Sequence, residues 1–509
     1  MLANQLSRWN LRIIPPSQFD ERSHAEYISH NVEAPPSGVL VFHGIGEEVR
    51  FETLGRAASM ILVEAEQRGA SDISVVIRSV PKDKAASALD VRAELTWTEI
   101  DPNTQASVKR QVHVYEAYWA PLTAGKVTYF ETLGFLVSAG WNGLRGAFGS
   151  GKRGSFKRWM FGGFKEMKTT AGTVPLLAFL LFLVGAVAAI IAMAASAAAG
   201  IVKQIGSGGH EGMVKALDFV YGQIAKPWNC ALELPWTAMK WLGHALPPPS
   251  WLNHLEFSSS ARPPHWWEYL IALAGWGFLV WAGLRLRSIL TAYAGSLVAY
   301  LSPYKDSKWE ELRTNIQQVG LNAGRLILDG HTYSKWIPEY DKIVFVAHSL
   351  GSVIAYDTLN ALINCEASRR PNNALNPASE RVKALVTLGS PLDKTAFLFR
   401  VQFKISTDRL DQEGELRETM VCAVQPLITD YDRYRFATSP ARRTRWINLW
   451  SKKDIISGKL EYYDDPAEPV NSPRRIQNLV DPDASKWIVA HNQYWTGKLL
   501  RKTVYDELF

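Results

Sequence analysis

Thirty-four consecutive residues, Thr169 to Val202, carry no charge. Their core reads Val174-Pro-Leu-Leu-Ala-Phe-Leu-Leu-Phe-Leu-Val-Gly-Ala-Val-Ala-Ala-Ile-Ile-Ala-Met-Ala-Ala. A helix rises about 1.5 Å per residue, so about 20 apolar residues cross a bilayer core. The run is long enough, and a transmembrane span is expected over 174–202. The alternative is a buried helix of a soluble core, but soluble helices of this length almost always keep a polar face. A second apolar run, Tyr269 to Leu284, is followed by Arg285 and Arg287. It predicts a second span over Trp266–Leu284, with a re-entrant or interfacial helix as the alternative.

Tryptophan and charge frame these runs. Residues 126–304 hold 10 of the 19 tryptophans, several beside the apolar runs, where amphipathic rings sit at headgroup level. Arg145, Lys152, Arg153, Lys157, Arg158, Lys165 and Lys168 precede the first run against one acid, Glu166. The stretch from Lys203 to Pro264 has only five Lys or Arg. That asymmetry keeps both flanks cytoplasmic and the connection outside, as in an integral protein of the cell membrane. The net charge of +7 would also suit a nucleic-acid binder. The basic cluster lies beside a span, so anionic lipid is the expected partner and no nucleic acid is. Met1 to about His30 has no apolar run, so no cleavable secretory signal is expected.

Without 126–304, 330 of the 509 residues remain, a size that suits one large α/β domain. Apolar residues make up 47% of the chain and charged residues 21%, which excludes a disordered chain, a collagen and a coiled-coil rod. Three scattered cysteines, Cys230, Cys365 and Cys422, exclude a disulfide framework and a cysteine-rich zinc module. The expected organisation is a catalytic domain in two pieces, 1–125 and 305–509, interrupted by a membrane insertion at 126–304. In the first piece Gly38–Phe42, Ile73–Val80, Leu95–Ile100 and Val112–Trp119 read as strands. A helical stripe runs through Phe51, Leu54, Ala58, Ile61 and Leu62. The second piece has a stripe at Trp309, Leu312, Ile316, Val319 and Ala323, then a strand at Lys342–Ala347 and a helix from Ser352 to about Ile363. Ala384–Leu388, Trp446–Trp450 and Ile476–Val480 are further strands. Alternating strands and helices predict a mostly parallel sheet.

Ala347-His348-Ser349-Leu350-Gly351 stands between the strand KIVFV and an apolar helix. It resembles the nucleophile elbow of the α/β-hydrolase superfamily in its lipase-like form, with Ala347 in place of the usual first glycine. There the serine sits on a strained strand-to-helix turn whose neighbours must be small. The resemblance covers about 38–125 and 305–500. It implies an α/β-hydrolase fold, with Ser349 as nucleophile and the Leu350 N–H as an oxyanion donor. His43-Gly44-Ile45-Gly46, after the first strand, matches the superfamily's second oxyanion loop, which makes the Ile45 N–H the other donor. The superfamily's chain order is serine, acid, histidine. His491 is the only histidine after Ser349, and so the expected base. His348, fixed beside the nucleophile, is a poor one. Asp454, in the loop after Trp446–Trp450, is the first choice for the acid, with Asp393 as the alternative. Tyr115-Glu116-Ala117-Tyr118-Trp119 ends a strand near the same sheet edge, either lining an acyl pocket or packing in the core.

These features predict a membrane-anchored serine hydrolase that cleaves carboxylic esters, with lipid or phospholipid acyl esters as the expected substrates, through a Ser-His-Asp triad and an acyl-enzyme. Two other readings remain. One is an acyltransferase or thioesterase using a soluble acyl donor; the other is a catalytically idle membrane scaffold. No metal or nucleotide motif occurs, so no cofactor is expected.

Overall fold

A computed structural model describes residues 6–14, 36–81, 89–135, 307–329, 340–392, 444–460 and 475–509 with short gaps, and isolated positions elsewhere. The chain divides into two compact units. One comprises Met1–Thr128, Trp141–Ala171 and Ala292–Phe509, the other Tyr129–Gly140 and Gly172–Thr291. All that follows concerns the first.

Its centre is a nine-stranded sheet. In chain order the strands are β1 (Asn10–Ile14), β2 (Ser37–Phe42), β3 (Ser71–Pro81), β4 (Leu89–Ile100), β5 (Ser107–Ala117), β6 (Ile343–His348), β7 (Val382–Leu388), β8 (Arg445–Trp450) and β9 (Gln477–Val480). Their order across the sheet is β1-β3-β4-β5-β2-β6-β7-β8-β9. Only the β3–β4 and β4–β5 pairs are antiparallel. The sheet is therefore mixed and mostly parallel.

β2 and β6 explain how two distant pieces of sequence make one sheet. Every residue of both is buried. Strands apolar on both faces must be covered on both faces, which favours the middle of a parallel sheet. They lie side by side in parallel, with Gly38 opposite Ile343 and Phe42 opposite Ala347. Their carboxyl ends, His43 and Ser349, thus emerge together at one sheet edge.

One sheet face is covered by α1 (Glu52–Gln67), which buries Leu54, Ala58, Ile61 and Ala65 against Val39, Val41, Val112, Val114 and Val344. The C-terminal helix Lys498–Leu508 joins the same core through Leu500, Val504 and Leu508. Full burial of such a side chain contributes about 1.5–3 kcal/mol. The chain also forms a short helix α2 (Ala120–Thr123), then α3 (Ser307–Asp329) and α4 (Leu350–Arg369). α4 packs against β2, β6 and β7 on one side and α3 on the other. From Leu350 to Leu362 nearly every residue is buried because the helix lies between two layers.

The chain that re-enters this unit near 292 is tied to both pieces. The Ser296 hydroxyl donates to Thr123 Oγ1 at 3.2 Å. The Tyr300 hydroxyl donates to the Asp357 carboxylate on α4. Arg313 and Gln317 of α3 donate to the same carboxylate at 3.3 and 3.2 Å.

Among the described residues no helix is long and apolar enough to cross a membrane. The spans expected over 174–202 and 266–284 lie outside the described residues, except Ala274 and Trp281, as does the basic cluster from Arg145 to Lys168. β1 and the C-terminal helix have no counterpart in the sequence reading. β4 starts at Leu89, six residues before the apolar end that betrayed it.

Candidate active site

β6 ends at His348 and α4 begins at Leu350, so one residue makes the turn from strand to helix. That residue, Ser349, has φ 53°. The left-handed region costs a non-glycine residue roughly 1–2 kcal/mol, so the surroundings must hold it there. The Ser349 N–H donates to the Leu388 carbonyl at the end of β7, 3.0 Å away. Its own carbonyl accepts from the Ser352 N–H at 2.9 Å and the Ser352 hydroxyl at 2.6 Å. Ser390 Oγ lies 2.7 Å from Ser352 Oγ and locks that hydroxyl in turn.

The loop after β2 comes against this turn. A Cβ on Gly351 would lie 2.2 Å from the His43 carbonyl oxygen, and one on Gly44 would lie 2.9 Å from Ser349 Cβ. Only glycine permits that approach from both sides. The Leu350 N–H belongs to the first helical residue and has no acceptor inside the helix. Ile45, half-buried, follows Gly44 on the facing loop. Gly46 lies outside the described residues.

The loop is braced by His43. Its ring stacks on Trp119 at 4.7 Å. The Trp119 N–H donates to His43 Nε2 at 3.1 Å, so the ring proton sits on Nδ1 and is donated to the Gly44 carbonyl at 2.8 Å. Burial lowers the His43 pKa to about 4 against the pull of the Gly44 carbonyl, so the ring is neutral near pH 7.

His491 lies on a short helix, α5 (Ala490–Gln493), after β9. His491 Nε2 is 2.9 Å from Ser349 Oγ, and Nδ1 is 2.9 Å from Asp454 Oδ2. An ionised carboxylate only accepts, so Nδ1 carries the proton and Nε2 accepts from the serine hydroxyl. Asp454 stands in the loop after β8, where its Oδ1 takes the Ile456 N–H at 2.9 Å. The Tyr494 hydroxyl donates to Oδ2, also at 2.9 Å. Burial opposes the Asp454 charge, but His491, the Ile456 N–H and Tyr494 outweigh it and hold the carboxyl at about 2. The Asp454 side chain is 1% exposed and that of His491 14%, so the line of contacts runs from the interior towards the surface.

His348 faces away from the serine hydroxyl. Its Nε2–H donates to the His491 backbone carbonyl at 2.7 Å. Burial and the neighbouring His491 lower its pKa to about 3, so it remains a neutral donor. The structure thus brings Ser349, His491, Asp454, Leu350, Gly351, His43, Gly44, Ile45 and His348 together at one sheet edge. The alternative acid, Asp393, lies outside the described residues. Tyr115 stands apart from the relay. Its hydroxyl pairs with Tyr340 at 2.7 Å and accepts from Arg92 at 2.9 Å within a buried network. Glu116 instead accepts the Phe51 N–H at 2.8 Å, at the start of α1.

Tyr494, Ser352 and Ser390 were not singled out from sequence, and Trp119 was expected only to line an acyl pocket or pack in the core, whereas it braces the His43 loop. Tyr494 follows His491 by three residues, about one helical turn, and that spacing was the available signal. Among the described residues no group of three or more His, Cys, Asp or Glu side chains could hold a metal ion. No family model, no curated protein and no solved structure matches this chain.

Proposed function

We propose that this protein has an α/β-hydrolase fold and is a serine hydrolase of carboxylic esters. One observation carries the reading. Ser349, on a left-handed strand-to-helix turn, is joined through His491 to Asp454 by two contacts of 2.9 Å each. A nucleophile, a base in reach of its proton and an acid that fixes the base's tautomer are the parts acyl transfer needs.

Ser349 Oγ attacks the ester carbonyl as His491 Nε2 takes its proton. Negative charge collects on the former carbonyl oxygen, which the Leu350 and Ile45 N–H groups receive. One such donor is worth about 3–4 kcal/mol of barrier. Asp454 stabilises the imidazolium. His491 returns the proton to the leaving alcohol, leaving an acyl group on Ser349. Water, deprotonated by His491, then attacks the acyl carbon; the bond to Ser349 Oγ breaks, His491 returns the proton to Oγ, and the carboxylic acid departs.

Lipid or phospholipid acyl esters are the proposed substrates. The support is the uncharged stretch Thr169–Val202 between the two pieces of the catalytic unit, with basic residues before it. A chain anchored there, with its catalytic unit in the cytoplasm, would meet lipid at high local concentration. The test is fatty-acid release from phospholipid vesicles. Release by the wild type and none by Ser349→Ala is expected. Equal turnover of a soluble acyl thioester with and without vesicles would favour a thioesterase or acyltransferase, and no turnover of either would favour an idle scaffold.

A further inference from the structure

The acid of the relay is held by a group that the reaction above does not use. α5 continues into a 3-10 turn, Tyr494–Thr496, so His491 and Tyr494 project one turn apart towards the same carboxylate. Tyr494 Oη and His491 Nδ1 both lie 2.9 Å from Asp454 Oδ2. The carboxylate can only accept, so the tyrosine donates. Its oxygen is left to accept from Ser457 Oγ at 3.1 Å. With the Ile456 N–H on Oδ1, three donors pin the carboxylate, two from the turn that carries His491 and one from its own loop. Burial and the Asp454 charge push the Tyr494 hydroxyl well above the ordinary phenol range, so it keeps its proton. The ring is fully buried, and Gly389 leaves room for it. A Cβ there would lie 2.9 Å from Tyr494 Cε2.

We propose that Tyr494 is a positioning residue of the relay. Its hydroxyl fixes the orientation of Asp454 and shares the carboxylate charge that would otherwise bear wholly on His491. The inference rests on the serine-hydrolase reading of the same site. It has a consequence that packing alone would not. A donor on Oδ2 takes up part of the carboxylate charge, leaving less of it to stabilise the imidazolium that forms in the reaction. Removing the donor should therefore move the pH dependence of the reaction as well as loosen the acid.

The experiment is the rate of labelling of the full chain in detergent micelles by a fluorophosphonate, measured from about pH 5 to 9, where a histidine base titrates. Tyr494→Phe keeps the ring and removes one hydroxyl. Its acid limb should move to higher pH by about half a unit, and its plateau rate should fall about tenfold. Ser457→Ala leaves the tyrosine intact but removes the donor that orients its hydroxyl, and should move the limb the same way by less. An unmoved acid limb in Tyr494→Phe, with or without a lower plateau, overturns the proposal. If that variant does not fold, Ser457→Ala decides by the same criterion. A wild type that never labels removes the serine-hydrolase reading, and the inference with it.

Discussion

Replacing Asp454 by asparagine tests the relay's orientation while barely changing its volume. In the wild type Oδ1 accepts the Ile456 N–H, and Oδ2 accepts from both His491 and Tyr494. An amide has one accepting end. If the amide oxygen keeps the Oδ2 place, its NH2 faces the Ile456 N–H, and two donors are left without acceptors in a buried site. Such a group costs about 1–3 kcal/mol. The amide therefore turns its NH2 to His491 and Tyr494. Tyr494 can reverse and donate to Ser457, whose proton has the Ser451 carbonyl at 3.5 Å as acceptor. His491 has no such freedom. Its Nδ1 must now accept, so the proton moves to Nε2 and points at the serine it should deprotonate. A triad in the wrong tautomer loses about 10⁴ in rate, about 5 kcal/mol of barrier. Fluorophosphonate labelling of Asp454→Asn should be slower by that order, and its melting temperature should stay within a few degrees of wild type, because each polar group has found a partner. Labelling within tenfold of wild type would refute the tautomer argument.

Three further outcomes follow from the same geometry. Gly351→Ala places a Cβ 2.2 Å from the His43 carbonyl and 2.7 Å from that of Phe42. Parting two backbones should cost about 3 kcal/mol, read as a lower denaturation midpoint, and should slow labelling; an unchanged midpoint would contradict the close approach. Asp357→Ala removes the carboxylate on which Tyr300, Arg313 and Gln317 converge. A loss of about 3 kcal/mol is expected from the melting curve, and a loss below about 0.5 would show that the cluster adds little. Burial lowers His43 from 6.5 to about 4 and His348 from 6.5 to about 3, so both bind a proton more readily unfolded than folded. Their contribution is whole above pH about 6.5 and is lost as pH falls towards those lower values, at about 1.4 kcal/mol per pH unit for each. A denaturant midpoint that stays flat from about pH 6 to 4 would contradict their neutral burial.

How much was legible before the fold depended on where the signal lies. β2 and β6 announce themselves because strands buried on both faces leave unbroken apolar runs. The turn between β6 and α4 is legible because a strained corner restricts its neighbours to small residues. His491 is reached by chain order, and Asp454 by its place after β8. Other parts leave weaker traces. β1 is five residues, NLRII, at a sheet edge with one arginine inside it, too short for a period to stand out. The C-terminal helix carries its apolar stripe at Leu500, Val504 and Leu508 among charges, and reads as a surface segment until α1 is seen beside it. His348 was visible as a residue, but its acceptor, the His491 carbonyl, lies 143 positions away, and only the folded sheet brings the two together. Tyr494 is a similar case. Tyrosine near a histidine is ordinary in a core, and the role appears only once both face one carboxylate.

The most direct test of the account is whether Ser349 is an activated nucleophile. The protein in detergent micelles or phospholipid vesicles should be labelled covalently by a fluorophosphonate, with the adduct on Ser349, and labelling should vanish in Ser349→Ala and His491→Ala. An adduct on another residue, or labelling that survives Ser349→Ala, would contradict it.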